Sequence, residues 1–361
     1  MPISRRSLIA GVPAAAALAA AAAPGAETVR LPKKIRLAML TGPGHMAEIL
    51  DPLPLLPDVE LAGVAGSEKE LARLAKNKYV AAAMKYGSLT EMLDREKPDV
   101  VGLCNDNGGR AAAILECAKR KMHVIAEKPY AVSSADYRKV KQAVKDSGIH
   151  VSMLVPMRFE PQFKALKKIV DDGLIGDVIQ VSAQKSYKAS TDEWKVKRAT
   201  YGSTILWIGI HMIDLMRWTS GRELVDATAW QTHVGFPEMG DQENVSASVY
   251  KLDNGGLAIL RMDYLRPKSA PTHGDDRVRL AGTKGVAEYM EATGVTVVTA
   301  DQKPRVITEL PPEGHVLIDF LQGVYEGKPR IVTEADIWRV NELTLAAHES
   351  SMQGGETVRL G

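Results

Sequence analysis

The chain has 361 residues, 45% of them hydrophobic and 25% charged, with a formal net charge of +2. That length allows about two domains by the usual ~150-residue prior, and acids interleaved with bases, without a basic stripe, exclude nucleic acid as a partner. The two cysteines, Cys104 and Cys117, have no C-x-x-C spacing and no histidine cluster beside them; neither a disulfide framework nor a metal site is expected.

Residues 1–26 read as a signal peptide. Arg5-Arg6 precedes an apolar run from Leu8 to Ala23, with small residues at Ala21, Ala23 and Ala26. This is a charged n-region, an h-region and an A-x-A-like cleavage zone. The run is Ala-dominated and short of the ~20 residues needed to cross a bilayer, so no stable membrane anchor is expected. Ser4-Arg5-Arg6-Ser7-Leu8 is similar to the twin-arginine signals that direct folded proteins outward. The expected location is periplasmic or secreted.

Over residues 33–155 strands alternate with helices. Strands are predicted at 34–40, 59–65 and 99–104, then in "MHVIAE" and "IHVSMLV", with helical stretches such as "SEKELARLAKN" and "GRAAAILECAKRK" between them. The alternation predicts an α/β domain with a doubly wound parallel sheet, covered on both faces. Over 156–361 the pattern changes. A helix at 161–172 leads through "GLIGD" to a strand, and later alternating runs are broken at Asp253-Asn254-Gly255-Gly256, a hairpin signal. The second domain is expected to be α+β, with a large, mostly antiparallel open sheet and an amphipathic helix in "ADIWRVNELTLAAHESSM".

The first strand turns into a helix through Gly42-Pro43-Gly44-His45-Met46-Ala47. Glycines there let backbone approach a pyrophosphate, and a helix N-terminus supplies amide donors. A Rossmann-type site for NAD or NADP is therefore favoured, with Gly42, Pro43, Gly44, His45 and Met46 against the cofactor. The acid that usually holds the ribose hydroxyls is missing; Ala65-Gly66-Ser67 stands there, with Lys69 close by. The choice between NAD and NADP stays open. In "VIAEKPYAVSS" a buried strand ends in Glu127, Lys128 and Pro129. Ligands of such sheets sit beyond the carboxyl ends of the strands, so Lys128 would project into the crevice; the plain alternative is a Glu127–Lys128 surface pair.

Gly42-x-Gly44, "PDVV", "VIAEKPYAVS", "MRFEP", "GLIGDV", "GIHMIDLMRW" and "LAGTKGV" follow one another in the order found in the glucose–fructose oxidoreductase/inositol dehydrogenase (Gfo/Idh/MocA) family, which the chain resembles after its leader. The resemblance implies that Lys128 contacts the nicotinamide ribose and helps to place the reacting hydroxyl. It implies His211 as the acid–base group, a role imidazole suits because its pKa lies near operating pH. Asp214 matches a family aspartate and reads as structural. An earlier family aspartate is replaced by Trp207, one helical turn before His211 and on the same face. The tryptophan could stack on a sugar or simply fill core.

By the same resemblance, Arg158 faces the crevice and touches cofactor and substrate, Asn105 and Ser67 contact cofactor alongside Glu127, and Lys188 lies in a segment (with Lys185, Tyr187 and Trp194) that often meets substrate. "HGDDR", 273–277, reads as a solvated turn, with a loop at the pocket as the alternative. The implied protein is an exported NAD(P)-dependent oxidoreductase acting on a secondary hydroxyl of a carbohydrate or cyclic polyol, a homo-oligomer through its C-terminal sheet. Because free NAD(P) is not resupplied outside the cytoplasm, the cofactor would be held tightly. Two other readings remain: a cofactor-assisted glycosidase or lyase that passes through a transient ketone, with Tyr187 and Tyr201 as further bases, and a non-catalytic binding protein on the same scaffold.

Overall fold

The computed structural model describes residues 27–360; the expected signal peptide, residues 1–26, lies outside them. The first sheet contains β1 (Ile35–Leu40), β2 (Val59–Ala65), β3 (Met84–Tyr86), β4 (Val100–Leu103), β5 (His123–Ala126) and β6 (Val151–Met153), all parallel, in the order β3-β2-β1-β4-β5-β6. This is the doubly wound order whose direction reverses between β1 and β4, the place where such sheets bind ligands. β4 and β5 are almost continuously apolar and buried because helices cover both faces. Those helices are α1 (Ala47–Leu50), α2 (Glu68–Leu74), α3 (Lys78–Ala82), α4 (Leu89–Glu96), α5 (Asn107–Lys119) and α6 (Ser134–Ser147). Their starts are written in the sequence: Ser67, Asn77, Ser88, Asp106 and Ser133 each cap the first turn of the helix that follows. Strand β3 went unpredicted, since three mostly exposed residues at a sheet edge carry no periodicity.

The second sheet has nine strands in the order β14-β13-β12-β11-β7-β10-β9-β8-β15. They are β7 (Val178–Lys188), β8 (Asp226–Thr232), β9 (Val245–Lys251), β10 (Leu257–Arg266), β11 (Gly274–Gly282), β12 (Gly285–Met290), β13 (Gly294–Thr299), β14 (Arg305–Val306) and β15 (Val358–Arg359). Only β7 and β10 pair in parallel; the other neighbours are antiparallel, and the β9–β10 hairpin closes at the predicted turn. The inner face packs on α7 (Pro161–Asp171), α9 (Ile210–Ser220) and α11 (Glu334–Met352), while α8 (Arg198–Tyr201) and α10 (Val316–Glu326) lie against the first sheet's side of the molecule. Strand β10 shows the consequence: Ala258, Leu260 and Met262 are buried, whereas Leu257 and Ile259 are exposed on the open face.

Candidate functional site

The carboxyl ends of the first sheet open onto a crevice of about 760 Å³, bordered by Gly42, Pro43, Ser67 and Asn105 and, from the other side, by Trp194 and Lys195. A smaller cavity of about 220 Å³ adjoins it and shares Lys195; Lys128, Lys188, Trp207 and His211 line it. Lys128, two residues beyond the end of β5, is buried, not a surface group. Its Nζ donates to the Trp207 carbonyl at 2.9 Å and lies 3.1 Å from the Trp207 ring centroid. Burial pushes its ammonium well below the usual lysine range, against the pull of Glu127. The strand end is clamped from below by Arg110, a fully buried residue of α5 that donates to the Lys128 carbonyl at 2.8 Å and the Pro129 carbonyl at 3.1 Å. Sequence reading passed over Arg110; its place one turn into a helix that starts at a strand end was the available signal.

Trp207 sits in a π-helical turn, Ile205–Gly209, that runs into α9. Single π turns gather at functional sites. Trp207 and His211 share the cavity wall, as their spacing predicted. Burial, with Lys128 close by, holds His211 well below the usual histidine range, so its ring is neutral, and its Nδ1 has no protein partner. A neutral imidazole beside a buried ammonium can accept a proton from a hydroxyl and return it.

The glycine turn differs from expectation. Glu127 is buried, and its carboxylate accepts from the His45 backbone amide, while His45 Nδ1 lies 2.6 Å from the same oxygen. Burial alone would raise the carboxyl, but His45, Lys128 and Arg110 hold it ionised, below the usual carboxylate range. Met46 spends its amide on the Gly44 carbonyl, and its side chain is buried in the core. The His45 and Met46 amides are therefore not aimed at a pyrophosphate; Glu127 already occupies the anion position that the turn offers. The His45 ring instead faces the smaller cavity, 5.3 Å from the His211 ring. The glycines are required by close packing: a Cβ on Gly42 would collide with the Cys104 carbonyl, and one on Gly44 with the Glu127 side chain.

Arg158 does not face the crevice. Its guanidinium is buried, with Nε and Nη2 donating to Asp214 at 2.8 and 2.6 Å and Nη1 donating to Asp336 at 3.0 Å. Two carboxylates behind it, on α9 and α11, outcompete the open cleft for its donors, so Arg158 ties helices together. Tyr201 is likewise buried and bonded to Tyr264, away from the cavity wall, whereas Tyr187 lies on it. The 273–277 stretch is no solvated turn: Gly274 begins β11, Asp276 pairs with Lys185 at 2.7 Å, and His273 lines the cavity.

The larger crevice fits a dinucleotide. It lies at the switch point of the sheet, Gly42 brings backbone to its edge, and the buried Asn105 Oδ1 there has no protein partner. At its ribose end Glu70, from the first turn of α2, accepts from the Ser67 amide at 3.2 Å. This carboxylate borders the crevice just beyond the end of β2, which itself carries no acid there, and Arg73 donates to the Gly42 carbonyl at 3.3 Å. Neither residue was picked out from the sequence.

Two family models match: one described as the oxidoreductase family, NAD-binding Rossmann fold, over residues 39–154, and one as the GFO/IDH/MocA C-terminal domain over 163–288. An oxidoreductase structure from Thermotoga maritima aligns with a TM-score of 0.85 at 30% identity, covering 90% of this chain and 100% of that one. The chain belongs to the Gfo/Idh/MocA oxidoreductase family. A myo-inositol 2-dehydrogenase of Thermotoga maritima is 24% identical over 255 residues, 70% of this chain and 74% of that protein. The match to the uncharacterised oxidoreductase YrbE of Bacillus subtilis, 27% identical, spans 56% of this chain and 59% of that protein. As in other Gfo/Idh/MocA members, the first domain of this chain is an NAD-binding Rossmann domain.

Proposed function

We propose that the chain is an exported NAD(P)-dependent oxidoreductase acting on a secondary hydroxyl of a sugar or cyclic polyol, with a tightly held cofactor. The observation that carries this reading is the meeting of Lys128 and His211 on one small cavity beside the dinucleotide crevice. When bound, the nicotinamide supplies the acceptor for a hydride. Gly42, Pro43, Ser67 and Asn105 hold the dinucleotide. His211 takes the hydroxyl proton on its neutral ring, and Lys128, with only one donor spent on the Trp207 carbonyl, holds the reacting oxygen. Trp207 gives the sugar ring a flat, dry wall. Similarity to an inositol dehydrogenase supports a polyhydroxylated ring as substrate. The test is direct: the purified protein is assayed for bound NAD(H) or NADP(H), and sugars and inositols are screened for a change at 340 nm. A cofactor-loaded protein that responds to none of them defeats the reading.

Tyr187 on the cavity wall supports a second reading, redox-neutral elimination through a transient ketone. Solvent deuterium entering the carbon beside the oxidised one, with no net NAD(P)H, marks that route. Export rests on Arg5-Arg6; changing both to lysine should leave the protein in the cytoplasm, and unaltered export of that variant would defeat this part of the reading. The apolar outer face of the second sheet, with Ile179, Leu257, Ile259 and Trp230 exposed, suits a second copy of the chain; light scattering in solution checks the mass.

A further inference from the structure

The smaller cavity is unusual in what its wall offers. Its ten lining residues include three lysines, three histidines, two tyrosines, a tryptophan and an isoleucine, and among the described residues it has no carboxylate and no carboxamide. A lysine ammonium donates hydrogen bonds and accepts none. The reacting hydroxyl finds its acceptor in His211 Nδ1, but the lysines leave the rest of the wall richer in donors than in acceptors, and buried donors left unpaired are costly. An acceptor-only group is the natural complement.

The carboxylates nearby do not change this balance. Asp276 is engaged with Lys185 at 2.7 Å, Asp192 with Lys195 at 2.9 Å, and Glu127 with His45, each behind or beside the lining. Lys188, at the end of β7, has a different environment. Its Nζ donates to the Ala270 carbonyl at 2.6 Å and forms no ion pair among the described residues. His273, just before β11, lies against Tyr187 with ring centroids 4.8 Å apart and the planes tilted by 33°, and lines the same wall. Lys188 and His273 come from β7 and the approach to β11, whereas Lys128 and His211 come from the loop after β5 and from α9. The cavity thus has a reacting side and a second, cationic side.

We propose that the substrate is an anionic sugar: a ring whose secondary hydroxyl meets His211 and Lys128 while an acidic substituent elsewhere on the ring is held by Lys188, with Lys195 and His273 beside it. The assignment rests on the cavity being the sugar site of the proposed oxidoreductase. The acidic substituent is a carboxylate, as in a hexuronate, or a phosphate ester; both are acceptor-only, and the cavity volume of about 220 Å³ admits a single ring.

The experiment uses the purified, cofactor-loaded protein and three ligands of one ring stereochemistry: the hexose, its hexuronate and its 6-phosphate. Binding is followed by tryptophan fluorescence and calorimetry, turnover separately at 340 nm. The acidic ligands are expected to bind about 10–100-fold more tightly than the hexose, the range of a hydrogen-bonded charge, and the tighter of the two identifies the acidic group. Lys188→Met should narrow that preference about tenfold, and Lys188→Arg should restore most of it. Preferential binding without turnover would uphold the anionic site while defeating the oxidoreductase reading. Equal or tighter binding of the neutral hexose, or a preference untouched by Lys188→Met, overturns the proposal even if the hexose is oxidised.

Discussion

Lys128 Nζ stands 3.1 Å from the centre of the Trp207 ring and 2.9 Å from the Trp207 carbonyl oxygen. One residue thus offers the lysine both a π face and a hydrogen-bond acceptor, which oppose the burial that lowers its pKa. Only the ring can be removed by mutation, since the carbonyl belongs to the backbone. Trp207→Phe should therefore keep the hydrogen bond and weaken the flat wall. The expected outcome is a severalfold rise in KM for the sugar with kcat little changed, the pattern of lost uniform binding. Steady-state kinetics check it, and a large fall in kcat at unchanged KM would mean that the ring acts in the transition state.

The burial of Lys128 changes what its replacement should do to stability. Sequence placed it at a strand end, outside the core; the structure buries it at 1% exposure. Lys128 is one of the cations that hold the buried Glu127 carboxylate ionised, and removing one partner of a buried charge pair is destabilising. Lys128→Met should therefore melt below the parent while turnover falls at least about a hundredfold, the cost of losing alignment at the reacting atoms. A variant that melts at or above the parent temperature, or that keeps most of its activity, contradicts this assignment.

His211 sets the acid limb of the pH profile. Burial and Lys128 lower its pKa, so the neutral, proton-accepting form survives below the ordinary histidine value of 6.5. As pH falls, activity should hold past pH 6.5 and be lost only beneath it; as pH rises through neutrality, this group should impose no limb. His211→Ala should lower kcat by about 10²–10⁴ and abolish the limb. A pH series of kcat/KM on parent and variant decides both points.

The Arg158–Asp214 pair was misread from the sequence for a physical reason. Arg158 lies 56 residues from one carboxylate partner and 178 from the other, and nothing local announces that α9 and α11 converge on it. The same limit hid the Glu127–His45 contact across 82 residues and the approach of His273 to the cavity. What was legible was local: the strand–turn–helix glycines, the capped helix starts, the hairpin at Asn254-Gly255, and the lysine and histidine that share a wall. If Arg158 is a tie and not a ligand, Arg158→Met leaves Asp214 buried without its partner, costing about 3–5 kcal/mol. Denaturant unfolding should register that loss, and the fraction of molecules carrying cofactor after purification should match the parent among those that remain folded.

Glu48, on α1 beneath the glycine turn, is the clearest source of pH-dependent stability. Burial, reinforced by Glu160, Asp51, Glu127 and Glu313, raises its carboxyl from 4.5 to about 7, and burial also takes Glu160 to about 7. Two neighbouring acids raised together titrate as a coupled set, so the native state holds protons that the unfolded chain has released above pH 4.5. The sign follows from that difference. Stability contributed by the protonated form is full below pH 4.5, declines as pH rises, and is gone above about pH 7, with a ceiling of roughly 3 kcal/mol for Glu48 alone. Glu48→Gln keeps the shape and cannot ionise. It should match the parent in thermal melts at pH 4.5 and melt higher at pH 8, with the gap opening between those values. A gap that is the same at both pH values, or one of opposite sign, would show that Glu48 is ionised at no cost where it sits.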